Sequence, residues 1–148
     1  MKKIFVFLIV LIAATSITCK RKKKFLTPTV VMRKWSRSIK TLNYNIYRQC
    51  EAYPKTQKAF LEMYKDFYPE NLMVIYVDDV DKKTVRKDAA GDKYFQRKVN
   101  FEFSDIKRST KKQQFVVRGT VDFVRFTSGA RVKDGWLMAS RNMMRIKR

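Results

Sequence analysis

The spacing of apolar residues changes period halfway along this chain, and that change restricts the fold more than any other feature. Val31, Trp35, Ile39, Leu42, Ile46 and Cys50 recur at intervals of three or four, as one stripe of a helix does. Phe95, Arg97, Val99, Phe101 and Phe103 recur at intervals of two, against Tyr94, Gln96, Lys98, Asn100 and Glu102, as a half-buried strand does. Helices first and long strands afterwards, without alternation, specify an α+β order. N-terminal helices pack on a curved, mostly antiparallel sheet.

Local signals mark the elements. Thr27-Pro28 combines a hydroxyl cap with proline at the first helical position, and Tyr53-Pro54 ends the stripe that follows. A second helix is expected from Thr56 to Phe67, with Phe60, Met63, Tyr64 and Phe67 on one face, closed by Pro69 and Asn71. The run from Leu72 to Val77 is strand-forming. Residues from Asp78 to Asp92 are polar and read as a long connection, with a short strand near Thr84–Arg86. A basic turn falls between Ser104 and Lys112. Phe115 to Phe126 reads as a second long strand, with Gly119 at a bulge or kink. Ser128-Gly129 and Asp134-Gly135 are turn signals, and Trp136 to Ile146 is the last strand.

The N-terminus speaks to compartment. Lys2 and Lys3 precede a short apolar run, Ile4 to Ala14, which fades through Thr15, Ser16, Ile17 and Thr18 to Cys19. A charged start, a short apolar middle and a small-residue exit make a secretory signal, too short for a spanning helix of about 20 residues. Two cleavage sites compete: Ala14-Thr15-Ser16, and Ser16-Ile17-Thr18-Cys19, a relaxed lipobox whose cysteine would be acylated. The expected organisation is a signal over residues 1–18, a basic tether over 19–27 and one α+β domain over 28–148. Lys20, Arg21, Lys22, Lys23 and Lys24 follow the cysteine. Basic residues there oppose export by the positive-inside tendency, yet beside a lipid anchor they would rest on anionic head groups. The expected location is the bacterial cell envelope, membrane-anchored as a lipoprotein; an N-terminal membrane anchor or secretion is the alternative.

Charge narrows the partners. The net charge of +21 loses two with Lys2 and Lys3, leaving +19 on the mature chain. Candidate basic surface comprises Lys20, Arg21, Lys22, Lys23 and Lys24 with Lys107, Arg108, Lys111 and Lys112. An anionic lipid or envelope polymer, or an envelope protein, is the expected partner; export ranks nucleic acid last. Oligomeric state is open.

Catalytic chemistry has little to build on. The chain has no histidine, which removes the common activated serine and cysteine nucleophiles, and its two cysteines lack zinc-ligand spacing, so no metal or cofactor is expected. Cys50 is a buried thiol if Cys19 is acylated, and a disulfide partner of Cys19 otherwise. Asp78, Asp79 and Asp81 are interrupted by Val80 and followed by Lys82 and Lys83, a solvated turn rather than a calcium loop. Asp88 and Asp92 around Gly91 are turn residues. Asp122 is expected to face solvent or an arginine.

The sequence resembles the nuclear transport factor 2-like, or SnoaL-like, superfamily between Val30 and Ile146. The resemblance rests on Tyr64-Lys65-Asp66-Phe67 closing the helical part, on Val117-Arg118-Gly119 through Phe123 in a long strand, and on Gly135-Trp136 opening the last one. It implies a cone with an apolar pocket, walled by Trp35, Tyr47, Tyr64, Phe67 and Trp136. No catalytic residue carries over. The resulting expectation is a non-enzymatic, membrane-tethered binding or scaffold domain, with a small-molecule carrier or enzyme using the pocket as the alternative.

Overall fold

Among the described residues, hydroxyl or amide caps start each of three α-helices. The structure, a computed structural model, describes residues 25–77 and 85–147. Thr27 Oγ1 accepts from Val30 N ahead of α1 (Pro28–Lys40), Asn43 Oδ1 from Ile46 N ahead of α2 (Tyr44–Cys50), and Thr56 Oγ1 from Ala59 N ahead of α3 (Gln57–Tyr64). Each cap satisfies an N–H that the helix itself leaves unpaired.

The stripe from Val31 to Cys50 is therefore two helices rather than one. Leu42 takes a left-handed φ of 53° and Asn43 caps the next helix, so the chain turns without losing its apolar face. Of that stripe Val31, Trp35, Ile39 and Cys50 are buried and Leu42 and Ile46 only half-buried, while Tyr47, outside the stripe, fills the core beside them. The second expected helix also ends early, at Tyr64. Phe67 opens β1 (Phe67–Val77), and Pro69 and Asn71 lie inside that strand. Proline is tolerated because β1 is a sheet edge, and Asn71 sits at φ 53° in a register shift between Glu70 and Met73.

Four long strands form an antiparallel sheet in the order β1, β3 (Lys93–Lys107), β4 (Gln113–Phe126), β5 (Trp136–Lys147), and the short β2 (Arg86–Lys87) pairs with the start of β3. The protein is thus of the α+β class. Helix α1 packs against both β1 and β5, the outer strands of that order, so the sheet wraps around it. Trp35, Ile39, Tyr47, Phe60, Phe101, Phe123 and Met138 fill the space between. Each such side chain contributes roughly 1.5–3 kcal/mol on burial.

Gly119 carries no register shift, contrary to the expectation of a bulge. It pairs in sequence with Phe101 and Met143, and an added Cβ would strike the carbonyl oxygen of Asn142. Close backbone approach is what requires glycine there. The bulge lies at Asp122/Phe123 instead, opposite Ser140 and Met138. Between β4 and β5, the two expected glycine turns are the ends of one connection around a 3-10 helix, Ala130–Asp134. Gly129 and Gly135 hold positive φ on either side.

Candidate functional site

Alternation along β3 runs past Phe103 to Asp105 and carries that carboxylate onto the apolar face. Its neighbours there form a groove of about 230 Å³ between the middle of α1, the end of α3 and the sheet. Trp35 and Tyr64 come from the helices, Phe67 from β1, Phe103 from β3, Val117 from β4, with Met63 and Met143 exposed at the rim. The aromatic walls meet edge to face or tilted: Trp35 lies 6.4 Å from Tyr64 and 6.3 Å from Phe103, centroid to centroid.

The polar atoms in this groove are few. Asp105 is 4% exposed, and Arg145 Nη2 stands 2.9 Å from its Oδ2, at an angle that makes no hydrogen bond. Burial raises the Asp105 carboxyl above its ordinary range, and the arginine offsets only part of that. The Arg145 guanidinium also lies over Phe67 and Phe115, 5.0 and 5.4 Å from their ring centroids.

Behind the groove is a second, closed pair. Arg141 donates from Nη1 and Nη2 to Glu51 Oε1 and Oε2 at 2.6 and 3.0 Å, and its guanidinium covers Trp35 at 5.2 Å. Glu51 arrives there because the chain after α2 runs beside β5, where Ala52 N donates to Met138 O. Burial pushes the Glu51 carboxyl up, and Arg141 pulls it back in part. Tyr47 and Tyr64 border this pair, and burial raises both phenols.

Three of the five expected pocket residues, Trp35, Tyr64 and Phe67, line the groove together. Tyr47 does not; it is 1% exposed and packs against Phe60, ring centroids 4.6 Å apart and planes tilted by 34°, inside the core. Trp136 stands at the far end of β5, with the Arg97 guanidinium 5.7 Å from its ring. It borders a different cavity, about 500 Å³, with Val31, Lys34, Arg48, Arg131 and Leu137. Several polar groups of that cavity are already engaged. Lys34 donates to Gln49, and Arg131 donates to Asp88 and to Ala52 O while its guanidinium stacks on Phe126. The smaller groove is the more apolar of the two.

The basic residues divide. Arg108 belongs to the frame: its guanidinium donates to the carbonyls of Ile39, Lys40 and Tyr64, tying the C-terminal ends of α1 and α3 to the sheet. Lys107, Lys111 and Lys112 beside it are exposed. Cys19, the basic run from Lys20 to Lys24, and Asp78, Asp79 and Asp81 lie outside the described residues. Asp88 and Asp92 do form a turn, with Asp88 Oδ1 accepting from Ala90 N and Asp92 N. Asp122 accepts from the Ser140 hydroxyl at 2.7 Å. Cys50 is a free buried thiol that donates to Ile46 O, and burial pushes it up to about 11.

Sequence reasoning missed both acids. Asp105 was accessible from the alternation of β3, extended by one step. Glu51 had no local signal, since only the crossing of the chain over β5 brings it to Arg141. Among the described residues no group of His, Cys, Asp and Glu is placed to hold a metal ion, and no helix is long and apolar enough to cross a membrane. None of the family models, curated proteins or solved structures compared with the chain matches it.

Proposed function

We propose that this protein is a non-enzymatic binding domain of a bacterial cell envelope, held at a membrane through acylated Cys19, whose aromatic groove takes an apolar group of its ligand. The groove walled by Trp35, Tyr64, Phe67 and Phe103 is the observation that carries the reading. Apolar walls with few polar groups are the usual make-up of a small-molecule site. Exposed Met63 and Met143 at the rim suit an adaptable apolar contact. Membership of the nuclear transport factor 2-like superfamily is part of the same proposal and rests on the order of elements and the sequence resemblance. The basic tether, Lys20 to Lys24, would add a second membrane signal to one acyl chain, which alone anchors only marginally.

Catalysis in the same groove is the second reading. It rests on Asp105, a buried carboxylate in a groove that also contains Tyr64, the combination that a general base would use. Arg145 occupies that carboxylate, which favours binding over proton abstraction.

The neutral dye N-phenyl-1-naphthylamine should bind the wild-type protein with a rise in fluorescence. Met143→Trp, which fills the groove from its exposed rim, should abolish the rise without unfolding the domain. Dye binding that ignores this substitution removes the groove from the proposal. Intact mass of the membrane-extracted protein tests the tether: it should begin at an acylated Cys19, and Cys19→Ala should release it. An unmodified Met1 start, or cleavage after Ser16, overturns the anchor.

A further inference from the structure

We infer that the groove selects an amphiphile with a short apolar tail and a single anionic head, the head being received by Arg145; this rests on the groove being a ligand site. Size sets the tail. At about 30 Å³ per water-sized group, 230 Å³ accommodates roughly eight such groups, below the 300–1,000 Å³ range of drug-sized sites. One short chain or one ring fits, and a two-chain lipid does not.

Charge sets the head. Arg145 keeps 56% of its side chain exposed while one terminal nitrogen faces Asp105. A guanidinium carries five N–H donors, so most of this one remains open at the end of the groove. The rings of Phe67 and Phe115 lie 5.0 and 5.4 Å from the guanidinium, which favours its staying at this end of the groove. Cross-strand pairing places Lys107 opposite Phe67 and Lys147 opposite Phe115, on the face that carries Arg145. Exposed Lys112 adjoins the same end of the sheet, while Lys111 turns to the Tyr68 ring at 5.7 Å; the acids nearby are Asp66 and the buried Asp105, with Glu62 and Glu70 already paired to Lys65 and Lys40. An anion entering here meets a cationic rim with an apolar floor. A cationic head would meet the same rim and be repelled.

Asp105 has a defined part in this arrangement. It is an internal rival for Arg145: its carboxylate faces one terminal nitrogen and limits the affinity of the guanidinium for an outside anion. Removing the rival charge by a conservative substitution therefore frees the receptor.

Isothermal titration at low salt with octanoate, octanol and octylammonium tests this on the full-length protein. Wild type should bind octanoate roughly fivefold more tightly than octanol, the scale of a partly exposed ion pair, with octylammonium weakest. Arg145→Gln should bring octanoate down to the octanol level, and Arg145→Lys should restore part of the preference. Asp105→Asn should tighten octanoate by a similar factor. Lys133→Gln, on the 3-10 helix at the other end of the sheet, is the control and should change neither ligand. High salt should compress the octanoate preference. The inference falls if octanoate binds no better than octanol, if the preference survives Arg145→Gln, or if Asp105→Asn weakens octanoate. Octanol binding alone, without an anion preference, leaves the groove standing and removes only the assigned head. Failure of both ligands removes both.

Discussion

Arg141 and Arg145 leave the same face of β5, four residues apart, and each meets a carboxylate that burial has pushed above its ordinary range. Their surroundings differ. Arg141 makes two hydrogen bonds to Glu51 and is 17% exposed, roofed by Trp35. Arg145 makes one bent contact with Asp105 and is 56% exposed at the end of an open groove. One strand therefore carries a closed pair that holds helices to sheet and an open pair available to a ligand. The distinction comes from what covers each: the segment after α2 crosses over Arg141, and nothing described crosses over Arg145. Identical residue types acquire different roles through the third element packed on them.

The comparison breaks first at the closed end. Arg141→Ala should cost about 3–5 kcal/mol, because it strands the Glu51 carboxylate in the core and uncovers Trp35. Urea denaturation would show it, and a loss below about 2 kcal/mol would place both arginines in the same class. Trp136→Ala belongs to the same end of β5. A cost near 3 kcal/mol is expected, at the lower edge of the usual range for a buried tryptophan, because the side chain is 9% exposed and already borders a cavity. An unchanged denaturation midpoint would make it a surface platform instead.

At the open end, Arg145→Gln should cost about 1–2 kcal/mol, less than Arg141→Ala, since Arg145 is half in water and makes no hydrogen bond to the carboxylate, although the Asp105 it leaves behind is buried. A cost equal to that of Arg141→Ala would erase the contrast. The smallest effect is in pH. Glu51 and Asp105 bind protons more tightly folded than unfolded, so each favours the folded state most at or below its ordinary value, 4.5 and 3.8. That contribution declines as pH rises toward the raised native value and is constant above it. Repulsion among the many cations tilts the whole profile the other way at low pH, so the difference between profiles is the measure. Subtracting the profile of Glu51→Gln from wild type should leave a fall in stability just above pH 4.5. A rise there would mean that Arg141 outweighs burial.

Much of the frame was legible in local pattern. The period of three to four found the apolar face of the first two helices. The period of two found β3, and Thr27-Pro28 and Thr56 marked real helix starts. The same pattern hid the break at Leu42–Asn43, because a turn that keeps its apolar residues in phase leaves the stripe intact. It also overran Tyr64. Phe67 fits the spacing of a helix as well as the first position of a strand, and Pro69 reads as a stop signal unless the strand is known to be an edge. Trp136 was expected against Trp35 and Phe67. The rings that pair with Trp35 are Tyr64 and Phe103, and Phe67 meets Phe115, because Trp136 and Phe67 lie near opposite ends of the sheet.

The candidate site was legible only in its aromatic half. Trp35, Tyr64 and Phe67 announce themselves as apolar residues on predicted faces, and burial of apolar surface is a property each residue carries on its own. Charged residues carry no such property. Arg108, Arg141 and Arg145 look alike in the chain, yet one caps helix ends, one is sealed with Glu51 and one borders the groove. Amino-acid order determined which stretches become helix or strand and which face turns inward, because those follow from short-range periodicity and solvent. Tertiary structure alone decided which cations stay available, because desolvation and ion pairing depend on segments far away in sequence arriving on top of them.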